Sequence, residues 1–492
     1  MVSLALLAPG LVFVMLGPVP GFEQKVQTEF PAAASLLMPD ANHRSQLSDA
    51  IFERSAVKRF AIQFMNSVQL YGLGYIDSPG VISGSGRWLF YKPQFLAWDC
   101  HRHQELQRKL DRFVMIHDLV SASELPLVFA LAPNKASIER EYLGGRATPY
   151  LDCYFEFERQ FAATTSALSP RHFVDHSDVL AHLPGEPPSY LQFDTHWRQD
   201  AAVKAMNQLF ESRKGVLGIP LYEPDTRSEQ ASMDILNLML LLRREEMISV
   251  PVSAKVDEQE VRSAQLASNV LFIHDSFYGR ILPFLHDRSP NARFQQVIPA
   301  RDVPVRKNLD DADVVVVQMI QRDFLDFIWS ESVFGWGSIF ADWLLDEMTM
   351  AAERCNWEAA DDLLARQSNP RALMRNVEVP GQRLRMKGSR QSRVIFRVPE
   401  SLTSGRVCLG LQLEASDAGS LRLFFSKPGA SKMQPGYSAS LMISKRTERG
   451  MNSLALILPE TFRGRWVRLD PMDHDGEFTL HKLDTTTLDH TF

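Results

Sequence analysis

The chain is poor in cysteine, with only Cys100, Cys153, Cys355 and Cys408 in 492 residues. None has another close by, so the paired spacing that a structural zinc-cysteine site needs is missing, which speaks against zinc. An even number permits two disulfides, one pair per domain, and equally permits four buried thiols. Net charge is also small: 53 Lys and Arg against 59 Asp and Glu leave −6. With no basic run to add to that, nucleic acid is excluded as a main partner. What remains is ordinary globular composition, 45% hydrophobic and 23% charged, over a length that implies two or three domains.

Residues 1–22 carry no charge and are mostly apolar. About twenty helical residues match a ~30 Å hydrocarbon core, but Pro9, Pro18 and Pro20 interrupt the run. No Lys or Arg precedes it and no small-residue cleavage site follows, which removes the cues for orientation and for signal cleavage. The expectation is an uncleaved, short or kinked anchor; a signal and a buried N-terminal hairpin are the alternatives.

The chemistry gathers at two short stretches. Phe193-Asp194-Thr195-His196-Trp197 sets an acid and an imidazole two residues apart. On an extended backbone both project to one face, the acid orienting the ring. Ala201, Ala202, Ala205, Met206, Leu209 and Phe210 then form a helical stripe, with Gly215 placed as a left-handed cap. The second stretch is Val270-Leu271-Phe272-Ile273-His274-Asp275-Ser276-Phe277. An apolar, β-rich run ends at Ser276, and Ile281, Leu282, Phe284 and Leu285 continue at helical spacing, which predicts Ser276 at a helix N-terminus where backbone N–H groups can hold an oxyanion. Asp275 reads as structural and His274 as a core histidine, because adjacent strand residues face opposite ways.

Other strand-like runs are Trp88–Tyr91, Leu127–Leu131, His172–Val174, Phe294–Ile298 and Val314–Val317, with a helix carried by Leu106, Leu110, Phe113, Val114, His117 and Val120. Mostly apolar strands separated by helices imply a parallel sheet covered on both faces, an α/β architecture whose ligands gather at the carboxyl ends of the strands. Asn134, Lys135, Asp194, His196, Ser276 and Arg322 all fall just beyond such ends. Residues 346–375 read as a helical linker. From 376 to 492 short alternating runs such as Arg393–Val398, Val407–Leu413, Leu421–Phe425, Ser453–Leu458 and Trp466–Leu469 predict an all-β sandwich.

Four stretches in order, Gly86-Arg87-Trp88-Leu89-Phe90-Tyr91, Ala132-Pro133-Asn134-Lys135, Asp194-Thr195-His196-Trp197 and His274-Asp275-Ser276-Phe277, resemble the SGNH-hydrolase-like alginate O-acetyltransferases (AlgJ/AlgX-like) of bacterial exopolysaccharide biosynthesis. The resemblance covers residues 40–345 and includes the placing of the acid and base before the serine. It implies an SGNH-like domain in which Ser276, His196 and Asp194 are catalytic. Beside Ser276 the expectation is an oxyanion donor in Asn134 and a glycan groove lined by Lys135, Arg322, Phe277 and Tyr278, the charges engaging an acidic polymer and the rings stacking on sugar faces. It implies no metal and no cofactor. Its expected partners are a polysaccharide substrate, a membrane-embedded acyltransferase that donates acetyl groups, and other exopolysaccharide assembly proteins. The location it implies is periplasmic, tethered to the inner membrane, with the β-sandwich as a carbohydrate-binding module or a brace for the domain interface. A carbohydrate esterase with the same triad and a non-catalytic polysaccharide-binding scaffold are the rival readings.

Overall fold

The computed structural model describes residues 56–181, 186–213, 217, 227–232, 244–249, 269–279, 292–296, 305–329, 336–359, 361–363, 374–375, 377–378, 384–387, 393–400, 406–427, 430, 437, 441–470 and 477–488. The expected N-terminal anchor, Gly215 and the stripe Ile281–Leu285 lie outside them. Among the described residues no helix is long and apolar enough to cross a membrane.

Among the described residues five parallel strands form the central sheet: β1 (Leu127–Ala132), β2 (Phe173–Asp175), β3 (Val270–His274), β4 (Ala292–Gln296) and β5 (Val314–Ile320), in the order β2-β1-β5-β3-β4. Every residue of β1, β3 and β5 is buried. That is why these runs are almost wholly apolar instead of alternating, His274 and Gln318 being the exceptions: helices cover both faces, so neither set of side chains meets water. Covering helices include α1 (His103–Ser123), α2 (Thr148–Thr165), α3 (Gln199–Ser212), α4 (Gln321–Trp329) and α5 (Trp336–Ala351). α1 buries Leu106, Leu110, Phe113, His117 and Val120, one 3.6-residue stripe, and ends where Glu124 turns left-handed at φ 55°. The strand expected at Phe294–Ile298 begins two residues earlier, at Ala292.

Counting from β3, the strands take the order 2-1-3-4-5 of a doubly wound flavodoxin-like sheet, entered by this chain at the fourth strand. Such a permutation leaves the three-dimensional sheet intact while reversing which motifs come first. The topological switch lies between β3 and β5, whose carboxyl ends carry Ser276 on one side and Gln321-Arg322 on the other. A smaller antiparallel sheet, Asp77–Ser78, Val81–Ser83 and Leu89–Tyr91, packs beside this end.

Two antiparallel sheets make up the C-terminal region. One runs Val377–Glu378, Leu384–Lys387, Glu477–Thr487, Val407–Ala415, Gly450–Leu458; the other runs Met374–Arg375, Arg393–Arg397, Trp466–Asp470, Gly419–Phe425, Met442–Thr447. Val394, Phe396, Val467, Leu469, Leu421 and Leu423 are buried and alternate with more exposed residues, the period expected of a sheet with one dry face. The helical linker expected over 346–375 requires correction. Helix α5 stops at Ala351, short 3-10 turns follow, and Asp361–Asp362 and Met374–Arg375 are already strands, paired with Asp484–Thr485 and Arg393–Val394. Neither pair has an apolar run of its own; the partner strands recruit them.

Both disulfides form, Cys100–Cys153 and Cys355–Cys408. The first lies within the α/β domain, whereas the second crosses from the segment after α5 into the β region. Beside it the Trp357 ring lies on Gly410, where an added Cβ would come within 2.8 Å of the indole. Arg406 donates to Ala122 O and to Glu124, both at 2.8 Å, and Lys445 pairs with Asp346 of α5 at 2.9 Å. These contacts, with α5 packed along Gly450–Leu458, make one continuous apolar core of the two parts.

Candidate functional site

Asp194, His196 and Ser276 meet above the carboxyl ends of β3 and β5. Asp194 Oδ1 is 2.7 Å from His196 Nδ1, and His196 Nε2 is 2.9 Å from Ser276 Oγ. Accessibility rises along this line: the Asp194 side chain is 0% exposed, that of His196 14%, and Ser276 is open to solvent. A buried acid, a largely shielded ring and an exposed hydroxyl are the arrangement a base-activated nucleophile needs, since the charge that orients the ring is kept from water while the attacking atom is not.

The local conformation differs from the extended one expected. Residues 191–196 form a loop closed by the bridge between Tyr190 and Trp197, and α3 starts directly after it, at Gln199. Asp194 and His196 come together because the carboxylate curls back: the same Oδ1 that meets the ring also accepts the His196 backbone N–H at 2.9 Å. Asp commonly closes such turns onto the backbone two residues on. One oxygen therefore sets both backbone and ring.

Ser276 opens a short helical turn, Ser276–Gly279, whose position is pinned twice. Asp275 accepts from Phe277 N–H at 2.9 Å and from Ile320 N–H at 2.5 Å, tying the end of β3 to the end of β5. Removal from water pushes the Asp275 carboxyl up to about 6, against the opposing pull of those N–H donors and of Arg322. Trp197 Nε1–H donates to Phe277 O at 3.0 Å, so the residue after the histidine holds the residue after the serine. Asp275 is structural, as expected, and His274 is buried, with burial lowering its pKa. The bracing by Trp197 was not read from the sequence; its only signal was its place in the Asp-x-His-Trp stretch.

The remaining candidates divide. Arg322 stays at the rim, its side chain 13% exposed and its guanidinium 5.1 Å from the Tyr91 ring and 5.8 Å from the Phe277 ring. Lys135, expected at the substrate groove, is 2% exposed, and its ammonium is engaged by backbone carbonyls. Tyr278 and Phe277, also expected to line a groove, are both fully buried; the turn directs them inward, Tyr278 Oη meeting His176 Nε2 at 3.4 Å and Phe277 packing 4.7 Å from the His196 ring. Asn134 is fully buried as well, its N–H donating to Gln321 and its amide atoms making no well-formed hydrogen bond among the described residues. An oxyanion role for that amide requires the site to open toward it. Among the described residues no group of three or more His, Cys, Asp or Glu is gathered as metal ligands would be.

Residues 81–262 match the family model described as SGNH hydrolase-like domain, acetyltransferase AlgX. The match includes Asp194 and His196 and stops short of Ser276. A probable alginate O-acetylase AlgJ of Pseudomonas putida is 29% identical over 143 residues, 28% of this chain and 36% of that protein. The corresponding protein of Pseudomonas fluorescens is 24% identical over 213 residues, 42% of this chain and 52% of that protein. The chain thus spans about a third to a half of the length of these relatives. The solved O-acetyltransferase domain of Pseudomonas putida AlgJ is 18% identical, with a TM-score of 0.34 over 50% of this chain and 93% of that one. The likeness drawn from the four stretches holds: the chain is AlgJ/AlgX-like, and its α/β region carries an SGNH hydrolase-like domain.

Proposed function

We propose that the chain is an O-acetyltransferase that passes an acetyl group through an ester on Ser276 to hydroxyls of an extracytoplasmic polysaccharide. The observation that carries the reading is the hydrogen-bonded line from buried Asp194 through His196 to exposed Ser276. His196 Nε2 takes the Ser276 proton as Oγ attacks the acyl carbon, and returns it to the leaving group. The imidazolium formed in that step is stabilised by Asp194. The Ser276 N–H, at the start of its helical turn, is the first candidate oxyanion donor; each such donor typically contributes ~3–4 kcal/mol. The sugar hydroxyl then attacks the acetyl carbonyl while His196 Nε2 takes its proton; the carbonyl–Oγ bond breaks, and Ser276 Oγ recovers its proton from the same ring.

Transfer in preference to hydrolysis requires the acceptor to be held at high effective concentration against water at ~55 M. Arg322 at the rim suits an acidic polymer. So does the C-terminal region, where the charges of Arg468, Arg393 and Arg422 act on Asp470, an excess of positive groups on the half-exposed side of the second sheet. The donor partner is a membrane-embedded acyltransferase, and the place of action is the periplasm, with residues 1–22 as tether.

The test is incubation with 4-nitrophenyl acetate followed by mass spectrometry. One acetyl group on Ser276 is expected, and added uronate oligosaccharide should divert acetyl from acetate release onto sugar. If acetyl never reaches sugar of acidic or neutral type while acetylated polymer is steadily stripped, the enzyme is an esterase. If Ser276 never acylates, the catalytic reading fails.

A further inference from the structure

A lysine buried to 2% exposure without being used in the chemistry calls for an account. Lys135 follows β1 and the Pro133-Asn134 turn, and its Nζ donates to Leu89 O at 2.8 Å, Leu191 O at 2.6 Å, Gln192 O at 2.9 Å and Asp194 O at 3.0 Å. The rings of Trp88 and Phe90 stand 4.8 and 5.2 Å from it. Three of the four carbonyls belong to the loop that carries the acid and the base; the fourth belongs to the small sheet against which that loop rests. Gln192 O also accepts from Leu89 N–H at 3.1 Å, so ammonium and strand grip the loop at the same peptide.

We propose that Lys135 is a positioning residue: its buried ammonium, by holding the carbonyls of Leu89, Leu191, Gln192 and Asp194, fixes the loop that presents Asp194 and His196 to Ser276. The inference rests on the acyl-serine reading. The physical reason is that residues 191–196 lie outside helix and sheet, so few backbone bonds set their path. Their carbonyls face a dry interior where a point charge with three N–H groups can serve several acceptors at once. Because the Asp194 carbonyl carbon is bonded to the Cα that bears the carboxylate, a tilt of that peptide moves Oδ1. The displaced Oδ1 carries both the His196 N–H and the ring with it. The four atoms that Lys135 Nζ holds are backbone carbonyls and not reacting groups, and at 2% exposure it offers a substrate no surface.

Lys135→Met keeps the stem and removes charge and donors. Well below its melting midpoint, and with near-ultraviolet circular dichroism showing it folded, kcat for 4-nitrophenyl acetate should fall about 10²-fold, as for a misplaced catalytic group, with KM changed less than about twofold. The downfield proton resonance of His196 Nδ1–H, expected from its bond to Asp194, should broaden or vanish. A lowered midpoint with unchanged kcat and an intact resonance would make the lysine merely structural and overturn the proposal. Ser276→Ala is measured alongside. Activity retained there overturns the acyl-serine reading and the inference together, whereas a dead Ser276→Ala with a fully active Lys135→Met overturns the inference alone. Should Lys135→Met not fold, the wild-type protein decides. Its Lys135 ammonium, labelled with nitrogen-15, should exchange slowly enough to give a resolved hydrogen–nitrogen signal at neutral pH; exchange as fast as that of surface lysines would overturn the proposal.

Discussion

Replacing Asp194 by asparagine separates charge from geometry, and the structure says which of the two is lost. Asp194 Oδ1 serves both the His196 backbone N–H at 2.9 Å and the ring Nδ1 at 2.7 Å. In Asp194→Asn the amide oxygen must stay in that place, because turning the NH2 inward would set two donors against each other at the backbone. The ring therefore keeps its Nδ1–H tautomer, and Nε2 remains able to accept the Ser276 proton. What disappears is a full negative charge roughly 4 Å from the imidazolium that forms in the transition state. At an effective dielectric constant of ~20, fitting for a ring that is partly shielded, that charge stabilises by ~4 kcal/mol, about 10³-fold in rate. Asp194→Ala loses the charge and also both hydrogen bonds, and should be slower again by at least about tenfold. The assay is kcat for 4-nitrophenyl acetate at a pH where His196 is neutral in all three proteins, confirmed by titrating each rate. An asparagine variant within about tenfold of wild type would refute the idea that the buried charge acts on His196. One as slow as the alanine variant would refute the argument that the shared oxygen preserves the tautomer.

Two further outcomes are expected. Burial lowers the fully buried His176 to about 4 from an ordinary 6.5, so the unfolded chain binds the extra proton first. Its contribution to stability is present above about pH 6.5 and is lost as pH falls toward 4. By linkage this is at most ~3 kcal/mol, and His176→Gln should flatten that part of a urea-denaturation pH series; an unchanged slope would count against a neutral buried ring. Ending the chain after residue 375 should give an insoluble or unfolded product in place of an active α/β domain. It would strip the cover from α5 and from Ala122 and Ala352, and leave Cys355 without its partner. A soluble truncated protein with full small-ester turnover would show the β region to be dispensable for folding.

Much of this was legible along the chain. The apolar strands announced a sheet covered on both faces, because burial on two sides leaves few positions for a polar residue. The alternating runs after residue 376 announced sheets with one wet face. Asp194 and His196 were legible as a pair from their two-residue spacing, although a turn closed by the carboxylate, not the extended backbone expected, brings them together. Beyond that range the sequence was silent or misleading. Lys135 looked like a groove residue as a charge just past a strand end, and Tyr278 as an aromatic ring beside Ser276. Which way a side chain turns there depends on what lies opposite: carbonyls from residues 89 to 194 in one case and His176 in the other. Asp361–Asp362 became a strand only through Thr485 and Asp484. The residue types, their local periodicity and the acid–base pair were thus determined by the sequence alone. The meeting of His196 with Ser276 across 80 residues was decided by the tertiary structure, since only the order of strands in a sheet brings ends so distant in the chain to the same switch point.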